Sequence, residues 1–167
     1  MEQKSLATME RANFFKNYIE DKQWFLCEIG AQAEPTFLKS EMDIDYLDYV
    51  TREQSTQLLW PEDAEVIARI PETDILVSSD DYASYTDKKY DAIIANHVIE
   101  HVNDIIYWLQ SLEKLLKEDG RVFLTIPDKK YTFVATSSLR YLIADVTRNS
   151  PTKASGCLAP VSSSASE

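Results

Sequence analysis

The sequence predicts an α/β fold: a Rossmann-like, wound, mostly parallel sheet of about five strands with helices on both faces. Three observations carry this expectation. Short segments rich in apolar and β-branched residues recur at 24–29 (WFLCEI), 45–50 (DYLDYV), 74–78 (DILVS), 91–96 (DAIIAN) and 121–127 (RVFLTIP). Most are continuous apolar runs rather than alternations, the pattern of strands covered on both faces. Helical patterns lie between or before several of them, and strands alternating with helices through short links make an open wound sheet.

Taken in order, the first element is a helix starting after Ser5 and running toward Asp21. The first strand follows, with Cys27 inside it as a small buried hydrophobe. Pro35 suits the first turn of a short helix through Leu38. After the second strand, Thr51 with Gln54 three residues on makes a capping box that opens a helix toward Leu59. The clearest helix follows Asn103: Ile105, Ile106, Leu109, Leu112, Leu115 and Leu116 form one apolar stripe, and Gly120 stops it. From Asn149 the chain turns Ser-, Ala- and Pro-rich with no apolar period, so residues 1–148 are expected to form the domain and 149–167 a disordered tail.

Composition narrows the function. The 167 residues suit one domain with a real core, and 44% apolar with 27% charged residues is an ordinary globular balance. The net charge of -11 would repel a phosphate backbone or an anionic bilayer, which argues against nucleic acid and membrane partners. No apolar run approaches the ~20 residues needed to span a bilayer, and the start lacks a signal-peptide apolar region. Two cysteines, Cys27 and Cys157, make no disulfide scaffold, so the cytoplasm is the expected compartment.

In wound sheets, ligands bind beyond the carboxyl ends of the strands. Polar residues gather there. The first strand ends in Glu28-Ile29-Gly30, the second at Asp48, twenty residues after Glu28, the third is followed by Asp80 and Asp81, and the fourth by Asn96 and His97. An acid at the second strand's end can accept hydrogen bonds from ribose hydroxyls. A dinucleotide would want a GxGxxG turn for its pyrophosphate, yet only Gly30 is present and Gln32 holds the second glycine position. Acids without nearby basic residues suit a cationic nucleoside such as S-adenosylmethionine. The plainer alternative is that Asp and Asn serve here as turn formers and caps.

The stretches EIGAQAEPTF, DYLDYVTREQ, YDAIIANHVIEHV and WLQSLEKLLKEDGRVFLTIPDKKYTF fall within residues 24–133. On them the chain resembles the class I, S-adenosylmethionine-dependent methyltransferases of the type 11 domain group, in a branch with a Glu-Ile-Gly-Ala loop. The resemblance implies methyl transfer to a small-molecule acceptor. It also implies Glu28 and Gly30 under the methionine part of the cofactor, Asp48 at the ribose, Asp81 near the adenine and Asn96 near the reactive methyl. Two departures stand out. Gln32 replaces a glycine, and after Phe133 the match ends, leaving VATSSLRYLIADVTR room for one helix or strand before the tail. A missing C-terminal strand hairpin is expected, with the fifth strand at an open edge that a second copy or a partner would cover. A truncated, inactive module that binds the cofactor or a partner is the alternative.

The run ANHVIEHV holds both histidines of the chain, with Glu100 between them. If residues 97–101 made a helical turn, His97 and His101 would share a face fit for a divalent metal, but no third ligand stands out and no metal is expected. His97 follows the strand end where an acceptor approaches, and an imidazole can take a proton near neutral pH, which makes it the candidate general base.

Overall fold

The computed structural model describes residues 4–19, 23–59, 64–127 and 139–144. The order of elements is α1 (Leu6–Lys16), β1 (Phe25–Ile29), β2 (Asp43–Asp48), α2 (Arg52–Leu59), α3 (Ala64–Arg69), β3 (Ile75–Leu76), β4 (Tyr90–Asn96), α4 (Ile105–Leu115), β5 (Leu116–Pro127) and β6 (Leu139–Ala144). The described strands form one sheet ordered β3-β2-β1-β4-β5-β6. β1 to β5 pair in parallel, and β6 runs antiparallel along β5 from Val122↔Ala144 to Pro127↔Leu139. The wound, mostly parallel architecture is the expected one. The open edge at β5 is not, because β6 pairs along it. The boundary at 148/149 and the tail beyond it, with Cys157, lie outside the described residues.

Side-chain parity divides the core into two layers, as a period of two requires. Leu26, Ala92, Ile94 and Phe123 face Ala12 and Phe15 of α1. Cys27, Ile29, Ile93, Ala95, Val122 and Leu124 face Trp108, Leu112 and Leu115 of α4. The central strands β1, β4 and β5 are therefore apolar on both faces, which is why the sequence shows runs rather than alternation there.

Helix ends follow local chemistry. Ser5 caps α1 by accepting from the Thr8 amide at 3.2 Å. Thr51 and Gln54 form the capping box: the Gln54 carbonyl accepts from the Thr51 amide at 2.9 Å, and the Thr51 hydroxyl accepts from the Gln54 amide at 3.3 Å. Arg52 of α2 closes the next helix, donating to the carbonyls of Ile70 (2.7 Å) and Ile67 (3.3 Å) at the end of α3. The sequence offered no clear period for α3, and none of its described residues is buried.

Three local expectations need correction. Residues 35–38 form an irregular bend, not a helix, because side chains claim their backbone: the Thr36 amide donates to Glu28, the Thr36 carbonyl accepts from Lys4 at 2.9 Å, and the Leu38 amide donates to Glu41 at 2.8 Å. The stripe on α4 is rotated. Trp108, Ser111, Leu112 and Leu115 are buried, whereas Ile105 and Ile106 on the first turn are 46% and 66% exposed. Gly120 does not stop α4, which ends at Leu115 with pairing resuming at Leu116. The register jumps from Tyr90↔Leu116 to Ala92↔Arg121, and Gly120 sits in that bulge. A Cβ there would lie 2.9 Å from the Leu116 Cβ, so the tight return excludes a side chain.

Candidate active site

The carboxyl ends of β1, β2 and β4 meet at one rim of the sheet. β1 hands over to Gly30 at φ +64°, and its amide continues the ladder to the Leu47 carbonyl at 2.9 Å. That backbone region favours glycine, and a Cβ at Gly30 would meet the Val98 side chain at 3.4 Å. β2 ends at Asp48, whose Oδ1 accepts from the amides of Tyr49 (2.7 Å) and Val50 (3.4 Å). Burial pushes the Asp48 carboxyl above the ordinary aspartate range, against those two amides.

Beside this rim opens a cleft of about 380 Å³, lined by Tyr49, Asp80, Tyr82, Val98, His101 and Asn103 among others. Asp80 accepts from the Tyr49 hydroxyl. The Tyr49 and Tyr82 rings meet edge-on with centroids 6.4 Å apart, and the buried Trp108 indole donates to the Tyr82 hydroxyl at 3.1 Å. No lysine or arginine is among the described residues lining this cleft.

Of the two adjacent acids after β3, Asp80 lines the cleft. Asp81 instead accepts from the Ser84 hydroxyl at 2.6 Å and pairs with Lys114 of α4 at 3.5 Å. These partners, Ser84 first, hold its carboxyl below the usual aspartate range.

Glu28 and Asn96 are brought together, but with each other. The fully buried Glu28 carboxylate accepts from the Thr36 amide (2.8 Å), the Thr36 hydroxyl (2.6 Å) and the Asn96 amide (2.9 Å). Asn96 also donates to the Thr36 hydroxyl oxygen at 2.9 Å and accepts from the Thr125 hydroxyl at 2.5 Å. Arg11 of α1 completes the network, donating to the Thr36 hydroxyl oxygen at 3.0 Å and the Glu34 carbonyl at 2.5 Å. Burial raises the pKa of Glu28, and the Arg11 charge with the Thr36 and Asn96 hydrogen bonds opposes that. The cluster forms because Glu28, Asn96 and Thr125 share the sheet face toward α1, with Asn96 directly opposite Thr125. Arg11, Thr36, Tyr49 and Tyr82 were not singled out by the sequence reading. Of these, Thr36 and Tyr49 fall inside its quoted motifs.

His97 follows Asn96 with φ +55°, its amide extending the β4/β5 ladder to the Thr125 carbonyl at 2.9 Å. Its Nδ1 lies 3.4 Å from Glu100 Oε1. Only residues 99–101 form a helical turn, of the 3₁₀ type, so His97 and His101 do not share an α-helical face. Among the described residues no group of three His, Cys, Asp or Glu side chains is arranged to hold a metal ion. No helix among them is long and apolar enough to cross a membrane.

Comparison with known proteins matches this architecture to one family. A family model described as a methyltransferase domain covers residues 17–154. A 42-residue stretch, 25% of this chain and 18% of the relative, is 40% identical to the ubiquinone biosynthesis O-methyltransferase of Pelagibacter ubique (strain HTCC1062). Among solved structures, the glycopeptide N-methyltransferase MtfA is 18% identical with a TM-score of 0.52, over 84% of this chain and 61% of that one. Its complex with (S)-adenosyl-L-methionine is similar at 17% identity and a TM-score of 0.52, over 84% and 66% of the two chains. A SAM-dependent methyltransferase from Aquifex aeolicus is 12% identical with a TM-score of 0.52, over 72% and 65%. The chain thus spans less than two thirds of the length of each of these proteins. Its fold and the extent of the family match place it in the methyltransferase domain family, with the class I architecture.

Proposed function

We propose that this chain binds S-adenosylmethionine in the cleft beside Gly30 and Asp48 and transfers its methyl group to a small-molecule acceptor. One observation carries the reading: the cleft at the strand ends presents Asp80, two tyrosines, His101 and serine and asparagine side chains, with no lysine or arginine in its described lining. Such a lining fits a sulfonium and ammonium better than a polyphosphate. The family match and the donor-bound structure of a similar protein add support.

When bound, the donor supplies an electrophilic methyl group on positively charged sulfur. Because that charge is lost as the methyl transfers, acids serve best when they grip the ribose and ammonium away from the sulfur. Asp48 and Asp80 are the acids at hand. Gly30 lets the backbone turn beneath the ligand, while Glu28 holds the 31–38 loop in place through Thr36. The Asn96 side-chain nitrogen is engaged by Glu28 and Thr36, so Asn96 serves by fixing the end of β4. His97, next along, takes the proton that an O–H or N–H acceptor gives up as its lone pair attacks.

Calorimetric titration with S-adenosylhomocysteine tests the reading. We expect saturable binding that Asp48→Asn weakens. Absence of binding to the folded chain, or tighter binding of ADP, overturns it.

A further inference from the structure

We propose that Glu100 is a positioning residue that holds His97 in the Nδ1–H tautomer, leaving Nε2 as the open proton acceptor. The inference rests on the methyl-transfer reading above for its catalytic meaning, but not for its geometry. Three features of the ANHVIEHV turn converge. His97 adopts a left-handed backbone (φ +55°) that side-chain-bearing residues rarely take. That conformation is held in place because the His97 amide is tied to Thr125 on β5 at 2.9 Å while Asn96, just before it, is locked to Glu28, Thr36 and Thr125. Residues forced into sparsely populated backbone regions by their surroundings cluster at functional sites.

The third feature is the carboxylate. The turn at Ile99–His101 returns Glu100 toward the imidazole, 3.4 Å from Nδ1 to Oε1. The contact is an ion-pair distance rather than a formed hydrogen bond, but a carboxylate this close repels a lone pair and favours the hydrogen on the nitrogen that faces it, so the other ring nitrogen keeps its lone pair. Among the described residues Glu100 is the charged group paired with His97. The neighbouring strands present neutral groups, Asn96 from β4 and the Thr125 carbonyl from β5. His97 is 42% exposed and directly precedes Val98, which lines the cleft. The imidazole is therefore open to an acceptor from solvent. The chemistry selects an acceptor whose nucleophilic oxygen or nitrogen bears a proton. That proton passes to Nε2 as the new bond to the methyl carbon forms, and the electron pair of the broken carbon–sulfur bond stays on sulfur.

Imidazole nitrogen-15 NMR on the intact chain tests this, with His97→Gln identifying which of the two histidine signals is lost. In the wild type above the imidazole titration, His97 should show a protonated Nδ1 and an unprotonated Nε2. Glu100→Ala should shift the population toward Nε2–H, and Glu100→Gln, whose amide oxygen still accepts, should restore Nδ1–H. A wild-type Nε2–H tautomer, or a tautomer unchanged in Glu100→Ala, overturns the proposal. Because the readout needs no ligand, its failure is separable from failure of S-adenosylhomocysteine binding.

Discussion

Asp48 combines two demands that pull apart. Its carboxylate is partly withdrawn from water, which raises its pKa and makes the charged form costly in the fold. An acid with a raised pKa in the folded state contributes most to stability at low pH, and that contribution is lost as pH rises through the raised value. Asp48→Asn should therefore raise the melting temperature at neutral pH while weakening S-adenosylhomocysteine binding by about 1–3 kcal/mol, the range for charge-assisted hydrogen bonds. Scanning calorimetry and titration calorimetry on the same variant check both signs. For the wild type, affinity should fall on acidification from a pH above the ordinary aspartate range, since Asp48 protonates early and stops accepting. His97 obeys a different constraint, that of its backbone. His97→Val places a β-branched residue at φ +55° and should cost about 1–3 kcal/mol in urea unfolding, whereas His97→Gly should not. The residues at the strand ends were legible in the sequence as a group, since strand ends are where polar residues interrupt apolar runs. Their individual directions were not: nothing in the spacing of Asp80 and Asp81 says which enters the cleft, because an irregular loop has no period.

At the scale of elements, the sheet was readable because its central strands had to be apolar on both faces. The helices were readable where caps were explicit, at Ser5 and at the Thr51–Gln54 box. The Pro35 segment was misread since propensity is a local signal, and Thr36 is captured by Glu28, eight residues away. That capture joins α1, the loop and three strands. Thr36→Val removes the hydroxyl that Arg11, Glu28 and Asn96 share. We expect a loss of about 1–3 kcal/mol from unpaired buried groups, measured by urea denaturation, with reduced S-adenosylhomocysteine affinity as the loop loosens. In α4, Leu112→Ala should cost about 2–5 kcal/mol because its side chain is fully enclosed between helix and sheet.

For the whole molecule, charge and connectivity matter most. A net charge of -11 on 167 residues makes the compact state repel itself. Added monovalent salt should raise the melting temperature until screening saturates, and a melting temperature independent of ionic strength would argue against that. The sheet grows outward from β1 through β4 to β5 and closes with an antiparallel strand. The sequence allowed one element after residue 133 but carried no signal for its partner, since antiparallel pairing across a long connection leaves no local trace. The two layers also differ in what they touch: α1 joins the Glu28 network, while α4 reaches the cleft wall at Tyr82, where the Ser111 hydroxyl accepts from its amide at 2.8 Å and the Trp108 indole donates to its hydroxyl. That last link turns Trp108 into a built-in optical gauge. Shielded from water, its emission is set by its fixed surroundings, including the phenol of Tyr82 to which it is bonded. A guest seated against that phenol alters the field around the ring, so the chain's own light can follow occupancy with no dye attached.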